Sequence, residues 1–315
     1  MKNDFLTMIE QADTIAITGH VRPDGDCVGS TVGLYNYIIS NYDKQVQIYL
    51  EEFSKDFLFL HDADKISHTP TDQVYDLCIA VDCGDKERQG DFLQIFERAK
   101  RTMCVDHHIS NPGFGEVCYV DEEACSAAEA LYKLMEQDKI NKNAAEALYM
   151  GIVHDTGVFK HSNTTKSAMS IAGDLIEKGA NPSFIIDETF YKKTFVANKL
   201  LGIALTKAEQ HADGRIISTV LKTEDFRKSG AGKIDTDGIV DKLRITEGTE
   251  TAVFIYQTGD EEYKISLRSN NIVDVSRISC NHGGGGHVRA AGFSMKGDIK
   301  EILAGVIEEI KEQLC

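Results

Sequence analysis

The sequence predicts an α/β protein: an N-terminal domain on a parallel sheet, then a helical linker, then a smaller α/β C-terminal domain. Three observations predict it. The runs at 14–18, 76–82 and 101–106 are apolar without alternation, the pattern of strands buried on both faces. Helix-like stretches at 28–42 and 91–100 lie between them, and that alternation gives parallel strands with right-handed crossovers. Each run also ends in acid or imidazole: His20, Asp24 and Asp26 after the first, Asp82 after the second, Asp106, His107 and His108 after the third. In open α/β sheets ligands gather at that C-terminal edge.

The remaining elements follow in order. Residues 46–50 form a short strand. A helix over 126–137 is capped by Ser126, with Glu129 at the box position. A second, 143–153, runs into His154-Asp155-Thr156-Gly157 and sets Asp155 beside the same edge. A polar loop at 159–165 leads to a helix over 166–178, ended by Gly179. Residues 191–213 read as one long polar helix connecting the domains. The second domain then carries strands at 215–221, 251–256 and 263–269, a helix at 272–279, a strand at 290–295 and a terminal helix from about 298. The expected boundaries are 1–190, 191–213 and 214–315.

A chain of 315 residues, 42% hydrophobic and 27% charged, suits two domains without a large disordered portion. The 34 Lys and Arg stand against 50 Asp and Glu, a net charge of −16. So acidic a chain has no general affinity for long nucleic acid, which is held by neutralising phosphates. A short phosphate-bearing ligand can still be bound where metals and a few Arg or His supply local positive charge. No apolar run approaches a membrane span. The N-terminal stretch reads as an amphipathic helix and not as a signal peptide. Eight Cys without a CxxC pair, several in apolar runs, read as reduced thiols of a cytoplasmic protein.

One His and two Asp within seven residues suit Mn²⁺ or Mg²⁺ better than a closed zinc site. The competing reading makes Asp24 and Asp26 turn formers and helix caps, with His20 merely exposed. Asp155 alone reads as a helix-terminus Asp bonding locally. Three strand tips delivering such donors to one edge favour a metal site. Farther along, Gly283, Gly284, Gly285 and Gly286 stand between His282 and His287. Such a run means that a ligand or another backbone comes close, or that the segment is a flexible turn. Its free N–H groups would form an anion nest. Arg268, ending a strand, reads as a phosphate or base clamp or as a solvated side chain.

Together, His20-x-x-x-Asp24-x-Asp26, Asp82, Asp106-His107-His108 and His154-Asp155-Thr156-Gly157 resemble the four motifs of the DHH phosphoesterase superfamily. The glycine-His run, with Arg268 upstream and Ala290-Ala-Gly292 downstream, resembles its associated C-terminal domain. At this length the chain is most similar to the stand-alone branch of nanoRNases and 3′-phosphoadenosine-5′-phosphate phosphatases.

The resemblance implies two Mn²⁺, with Mg²⁺ or another divalent ion as substitutes. His20, Asp24 and Asp82 would hold one, and Asp26, Asp82, His107 and Asp155 the other, with Asp82 bridging. His108 would face the substrate phosphate, and Asp106 would orient His107. Arg268, Ser269, the backbone of Gly283, Gly284, Gly285 and Gly286, and His287 would hold the far end of a substrate in a cleft between the domains. His154 is placed outside the site. The implied activity is hydrolysis of short oligoribonucleotides to mononucleotides, and of 3′-phosphoadenosine 5′-phosphate to AMP, by two-metal activation of a bridging water. The alternatives are a phosphodiesterase for linear or cyclic dinucleotides and a non-catalytic, metal-dependent nucleotide binder. The implied partners are short RNA and small nucleotides, with no long nucleic acid and no membrane. A homodimer is compatible with this reading.

Overall fold

The structure, a computed structural model, describes residues 2–314. The chain divides into two compact units, Met1–Lys192 and Lys193–Cys315. Among the described residues no helix is long and apolar enough to cross a membrane.

The first unit runs α1 (Lys2–Gln11), β1 (Thr14–Thr18), α2 (Gly25–Asn41), β2 (Gln45–Tyr49), β3 (Leu77–Val81), α3 (Leu93–Arg98), β4 (Arg101–Asp106) and β5 (Val117–Val120). Four helices follow: α4 (Ala127–Leu134), α5 (Lys142–Asp155), α6 (Lys166–Glu177) and α7 (Pro182–Ile186). All five strands are parallel, in the order β2-β1-β3-β4-β5. Ile15, Ile17, Ile79 and Val81 join a core with α1, α2, α4 and α5, while Ala16, Cys78 and Ala80 pack with Tyr75, Phe92 and Ile95. Burial on both faces explains why β1 and β3 lack polar alternation. Strand β5, absent from the sequence reading, lies at the sheet edge with all four residues half-buried, so it carries no such apolar run.

Helix α2 begins at Gly25, three residues earlier than expected, because Asp24 caps it: Asp24 Oδ1 accepts from the amides of Asp26 (3.0 Å) and Cys27 (3.1 Å). Helices α2 and α5 meet almost backbone to backbone. A Cβ on Gly29 would fall 2.6 Å from the Ala147 carbonyl oxygen, and one on Gly151 would fall 2.5 Å from Asp26 Oδ1. This close packing lets Asp26, in the first turn of α2, approach the end of α5.

The second unit runs α8 (Phe195–Thr206), β6 (Glu209–His211), β7 (Ile216–Leu221), α9 (Thr223–Ser229), α10 (Ile239–Arg244), β8 (Thr251–Gly259), β9 (Glu262–Ser269), α11 (Val275–Asn281), β10 (Gly285–His287), β11 (Ala290–Lys296) and α12 (Ile299–Leu314). Its mixed sheet has the order β10-β11-β9-β8-β7-β6, antiparallel except for β7 with β8. Side chains alternate between two cores. Ala252 and Phe254 of β8 pack with Leu200, Ala204 and Leu243, whereas Val253 and Ile255 pack with Ile278, Val306 and Ile310. The stretch 191–213 is therefore not one polar helix. Leu200 and Ala204 bury α8 against β7 and β8, and the chain then forms β6.

One buried acid organises the turn after β9. Glu250 Oε1 accepts from the amides of Asn271 (3.0 Å), Ile272 (2.5 Å) and Val273 (3.1 Å). Burial works against its charge, but these amides and Arg289 hold its carboxyl below the usual range. A carboxyl so lowered stabilises the fold fully above its ordinary value of 4.5, and that stabilisation is lost as pH falls through the folded value. Glu250→Gln should lower unfolding free energy at pH 7 by about 1–3 kcal/mol, since the bonds lost are charge-assisted. In denaturant titrations the two proteins should converge as pH drops below 4.5.

Candidate metal centre

The tips of β1, β3 and β4, the first turn of α2 and the last of α5 bring six candidate donor residues together. Asp82 is central. It leaves β3 in the left-handed region (φ 59°), a conformation that Asp tolerates better than most residues, with its amide bonded to the Val105 carbonyl (3.0 Å). Its two oxygens face different imidazoles: Oδ2 lies 3.4 Å from His20 Nε2, and Oδ1 lies 3.6 Å from His107 Nε2. His20 Nε2 is also 3.7 Å from Asp24 Oδ1, and His107 Nε2 is 3.1 Å from Asp155 Oδ2 and 4.0 Å from Asp26 Oδ2.

Surrounding groups hold these side chains. His20 Nδ1 pairs with the Val21 carbonyl (2.9 Å), which turns Nε2 toward the carboxylates. Asp26 is fully buried at the start of α4, accepting from the amides of Ala127 (2.6 Å) and Ala128 (3.1 Å). A helix N-terminus is where a carboxylate is best placed. Ser126 caps that helix by accepting from the Glu129 amide (3.1 Å), and buried Glu129 accepts from the Cys125 amide (2.9 Å), Ser167 (2.6 Å) and Lys133 (2.8 Å). Asn163 Nδ2 donates to the carbonyls of both Cys125 and Asp155 (3.1 Å each), tying the entry of α4 to the end of α5.

One expectation is corrected. Asp106 does not orient His107. Its Oδ1 pairs with His108 Nδ1 (2.8 Å) and its Oδ2 accepts from Asn111 Nδ2 (2.7 Å), so it is the His108 ring that it aims. The side chain two residues on is the one that lies within reach. Asp24 both caps α2 and faces His20, so the two readings of this residue describe one geometry.

Asn111, the first two amides of α4, and Cys27 were missed by sequence reasoning. Cys27 Sγ lies in one donor group with His20 and Asp82, within 4.8 Å, and burial pushes its thiol up to about 11. The one available signal for the α4 amides was Ser126, whose cap position marks a helix start.

The charges are unbalanced. Burial, then Asp82 and Asp155, push Asp26 well above the carboxylate range, and burial, then Asp82, push Asp155 up to about 7. Burial opposes charge on His107, but Asp82, Asp26 and Asp155 raise it to about 10. His20 is likewise raised: burial opposes its charge and the Asp24 and Asp82 carboxylates prevail. Asp106 raises His108.

The donors fit divalent cations. Asp82 Oδ1 is buried without a hydrogen-bond partner. Two ligands about 2.1 Å from one ion at right angles lie about 3 Å apart, and the spacings here, 3.1–3.7 Å for four of the pairs, are of that order.

In the second unit, Arg268, Ala290 and His287 stand in register on neighbouring strands β9, β11 and β10. Arg268 Nε pairs with Asp241 Oδ1 (3.2 Å) and Nη1 with the Leu267 carbonyl (3.1 Å). Ser269 is buried, its hydroxyl donating to the Val273 carbonyl (2.6 Å), so it shapes the turn and does not present a free group. Two of the four glycines answer to the protein's own backbone. A Cβ on Gly284 would fall 2.4 Å from the Gly292 carbonyl oxygen, and one on Gly286 would fall 2.5 Å from that of Ala290. Gly283 and Gly285 have open space beside them. His154 belongs to none of the donor groups found among the described residues; its ring lies half-buried among aromatic rings, and desolvation pushes it down to about 4.

An acid raised from 3.8 to about 7 destabilises the cation-free fold as pH climbs between those values, and contributes nothing below about 4, where it is protonated in both states. With a chelator present, Asp155→Asn should therefore be more stable than the parent at pH 8, by about 1–3 kcal/mol, and equal to it near pH 4. Thermal melts across that range check it.

Comparison with known proteins agrees with this geometry. The description "DHH family, N-terminal domain" matches residues 14–152, and "DHHA1 domain" matches residues 212–312. The bifunctional oligoribonuclease and PAP phosphatase NrnA of Bacillus subtilis is 29% identical over 300 residues, covering 94% of this chain and 93% of its own. Its counterpart from Thermus thermophilus is 28% identical, covering 95% and 90%. A crystal structure described as an exopolyphosphatase-related protein from Bacteroides fragilis matches with a TM-score of 0.83 at 24% identity, over 99% of this chain and 95% of that one, a likeness of fold. With both domains matched in order and relatives aligned over nearly their whole length, the chain belongs to the DHH superfamily, in its NrnA-like branch, a group of phosphoester hydrolases.

Proposed function

We propose that this protein is a divalent-metal phosphoesterase that hydrolyses short oligoribonucleotides and 3′-phosphoadenosine 5′-phosphate. The observation that carries the reading is the buried Asp82 carboxylate, with one oxygen toward His20 and the other toward His107. So placed, it suits a bridge between two ions, with His20 and Asp24 completing one site and Asp26, His107 and Asp155 the other. Mn²⁺ matches this oxygen-rich, imidazole-containing set. Bound ions would supply Lewis acidity to the phosphoryl group and to an attacking water. The substrate classes come from the names of the NrnA relatives.

The chain's own residues do the rest. His108 has Nδ1 tied to Asp106 and a part-exposed ring, so its Nε2 is free to donate to a phosphoryl oxygen as charge builds there. Asp106 favours the charged form of that imidazole and aims it. In the second domain Arg268, steadied through Nε by Asp241, offers the rest of its fork to a phosphate or base, and His287 and the open side of the glycine run lie two strands away. The net charge of −16 disfavours long polyanions.

A Mn²⁺-supplemented panel tests this, with RNA of two to five nucleotides, long RNA, 3′-phosphoadenosine 5′-phosphate, linear diadenylate and a cyclic dinucleotide. Mononucleotides should form from short RNA, at rates that fall with length, and AMP from 3′-phosphoadenosine 5′-phosphate. Turnover of the dinucleotides alone would make the protein a dinucleotide phosphodiesterase, and binding without turnover would make it a nucleotide binder. Asp82→Ala should lose about a thousand-fold in turnover, the equivalent of about 4 kcal/mol of transition-state stabilisation. It should also lose the gain in melting temperature that Mn²⁺ brings to the parent, worth about 2.7 kcal/mol at a hundred times Kd.

A further inference from the structure

His154 is the penultimate residue of α5, immediately before Asp155. Its ring lies against Gly25, which stands between Asp24 and Asp26 at the start of α2. A Cβ on Gly25 would fall 2.0 Å from His154 Cγ and 2.2 Å from Nδ1, so the ring occupies the place a side chain would take. Phe57 meets the ring edge-on, with centroids 5.1 Å apart at 90°, and Phe190 lies 4.5 Å away at 39°. Three neighbours from three separate segments thus enclose one imidazole.

The nitrogen has no visible task. His154 Nε2 is buried without a hydrogen-bond partner, and His154 belongs to none of the donor groups found among the described residues. A buried polar atom left unpaired costs about 1–3 kcal/mol. What the neighbourhood uses is the flat ring.

We infer that His154 is a positioning residue: its ring clamps the turn carrying Asp24 and Asp26 onto the end of the helix carrying Asp155. The inference rests on the metal reading proposed above. Asp26 and Asp155 are carboxyl groups that converge on one imidazole nitrogen, 4.0 Å and 3.1 Å from His107 Nε2. Packing has to keep the α2 turn from separating from the α5 terminus when no cation lies between them. The ring resists that separation, because it is continuous with Asp155 along the backbone and in contact with the residue joining Asp24 to Asp26. A site held in its bound geometry spends less of its binding energy on ordering. The effect of the ring is therefore on cation affinity, with no contact to substrate.

The test is Mn²⁺ binding by calorimetry, on the full chain, for the parent, His154→Ala, His154→Phe and Phe190→Ala. Removal of groups that orient metal ligands costs about 10–100-fold in affinity. His154→Ala should raise the Mn²⁺ Kd about tenfold or more, at the low end of that range. His154→Phe restores a flat ring, one atom larger and without the nitrogens, and should stay within about threefold of the parent, as swaps of similar shape do. The Mn²⁺ concentration for half-maximal turnover should move with Kd, while KM for a dinucleotide at saturating Mn²⁺ stays unchanged. A parent-like Kd for His154→Ala overturns the inference, and so does a His154→Phe protein as weak as His154→Ala. If His154→Ala fails to fold by circular dichroism, Phe190→Ala decides, since it loosens the clamp from its half-buried side. A raised Kd supports the clamp and an unchanged one overturns it. A parent that binds no Mn²⁺ overturns the metal reading and the clamp with it.

Discussion

Asp26, Asp82 and Asp155 cannot all be ionised in so small and dry a space unless positive charge joins them. One oxygen each of Asp26 and Asp155 lies within 4.8 Å of the other, and Asp26 and Asp82 are almost wholly buried. At an effective dielectric of about 20, each such pair of like charges costs about 3–4 kcal/mol. The protein offsets part of this with its own groups. His20 and His107 carry protons to unusually high pH, and the first amides of α4 point at Asp26. Divalent ions would offset the rest. A carboxylate cluster that needs cations to be stable is also one that binds them, so the same imbalance underlies both the instability of the centre and its proposed use.

Such a cluster survives only because the surrounding fold over-determines it. Helices α2 and α5 touch at glycine and alanine, which brings Asp26 close to the end of α5. Asp82 accepts a left-handed backbone as β3 ends, and Asn163 and Glu129 tie the loop before α4 to its neighbours. Local strain of this kind costs about 1–3 kcal/mol at each residue and collects at working sites. Behind it the parallel sheet supplies a rigid edge, buried on both faces, from which three strand tips emerge side by side.

The second unit sets a cation, Arg268, in register with a short glycine-rich strand. The short strand β10 pairs with β11 through Gly285, Gly286 and His287, and Phe293 of β11 stacks on His282. Arg268 reaches this edge from β9, with Asp241 holding its Nε. On the proposed function, an acidic chain would confine its attraction for phosphate to a few such points, which suits small ligands over polymers.

By itself the sequence determined the α/β class and the two-part order, and it named six candidate donors that the fold sets side by side. Those features are local: a strand buried on both faces must be written as an unbroken apolar run, and an acid at its tip is visible one residue later. The edge strand β5 and the burial of α8 were not legible, because half-buried elements carry no distinctive period. Nor was the choice of Asp106 for His108 over His107, which depends on side-chain rotamers two residues apart. Nor were the Ser269 hydroxyl's bond to the Val273 carbonyl and the close approach of Gly284 to the Gly292 carbonyl. The tertiary structure alone decided which donors share Asp82, what supports Asp26 and what encloses His154. Each of these is a contact between segments far apart in the chain, set by packing that no local pattern encodes.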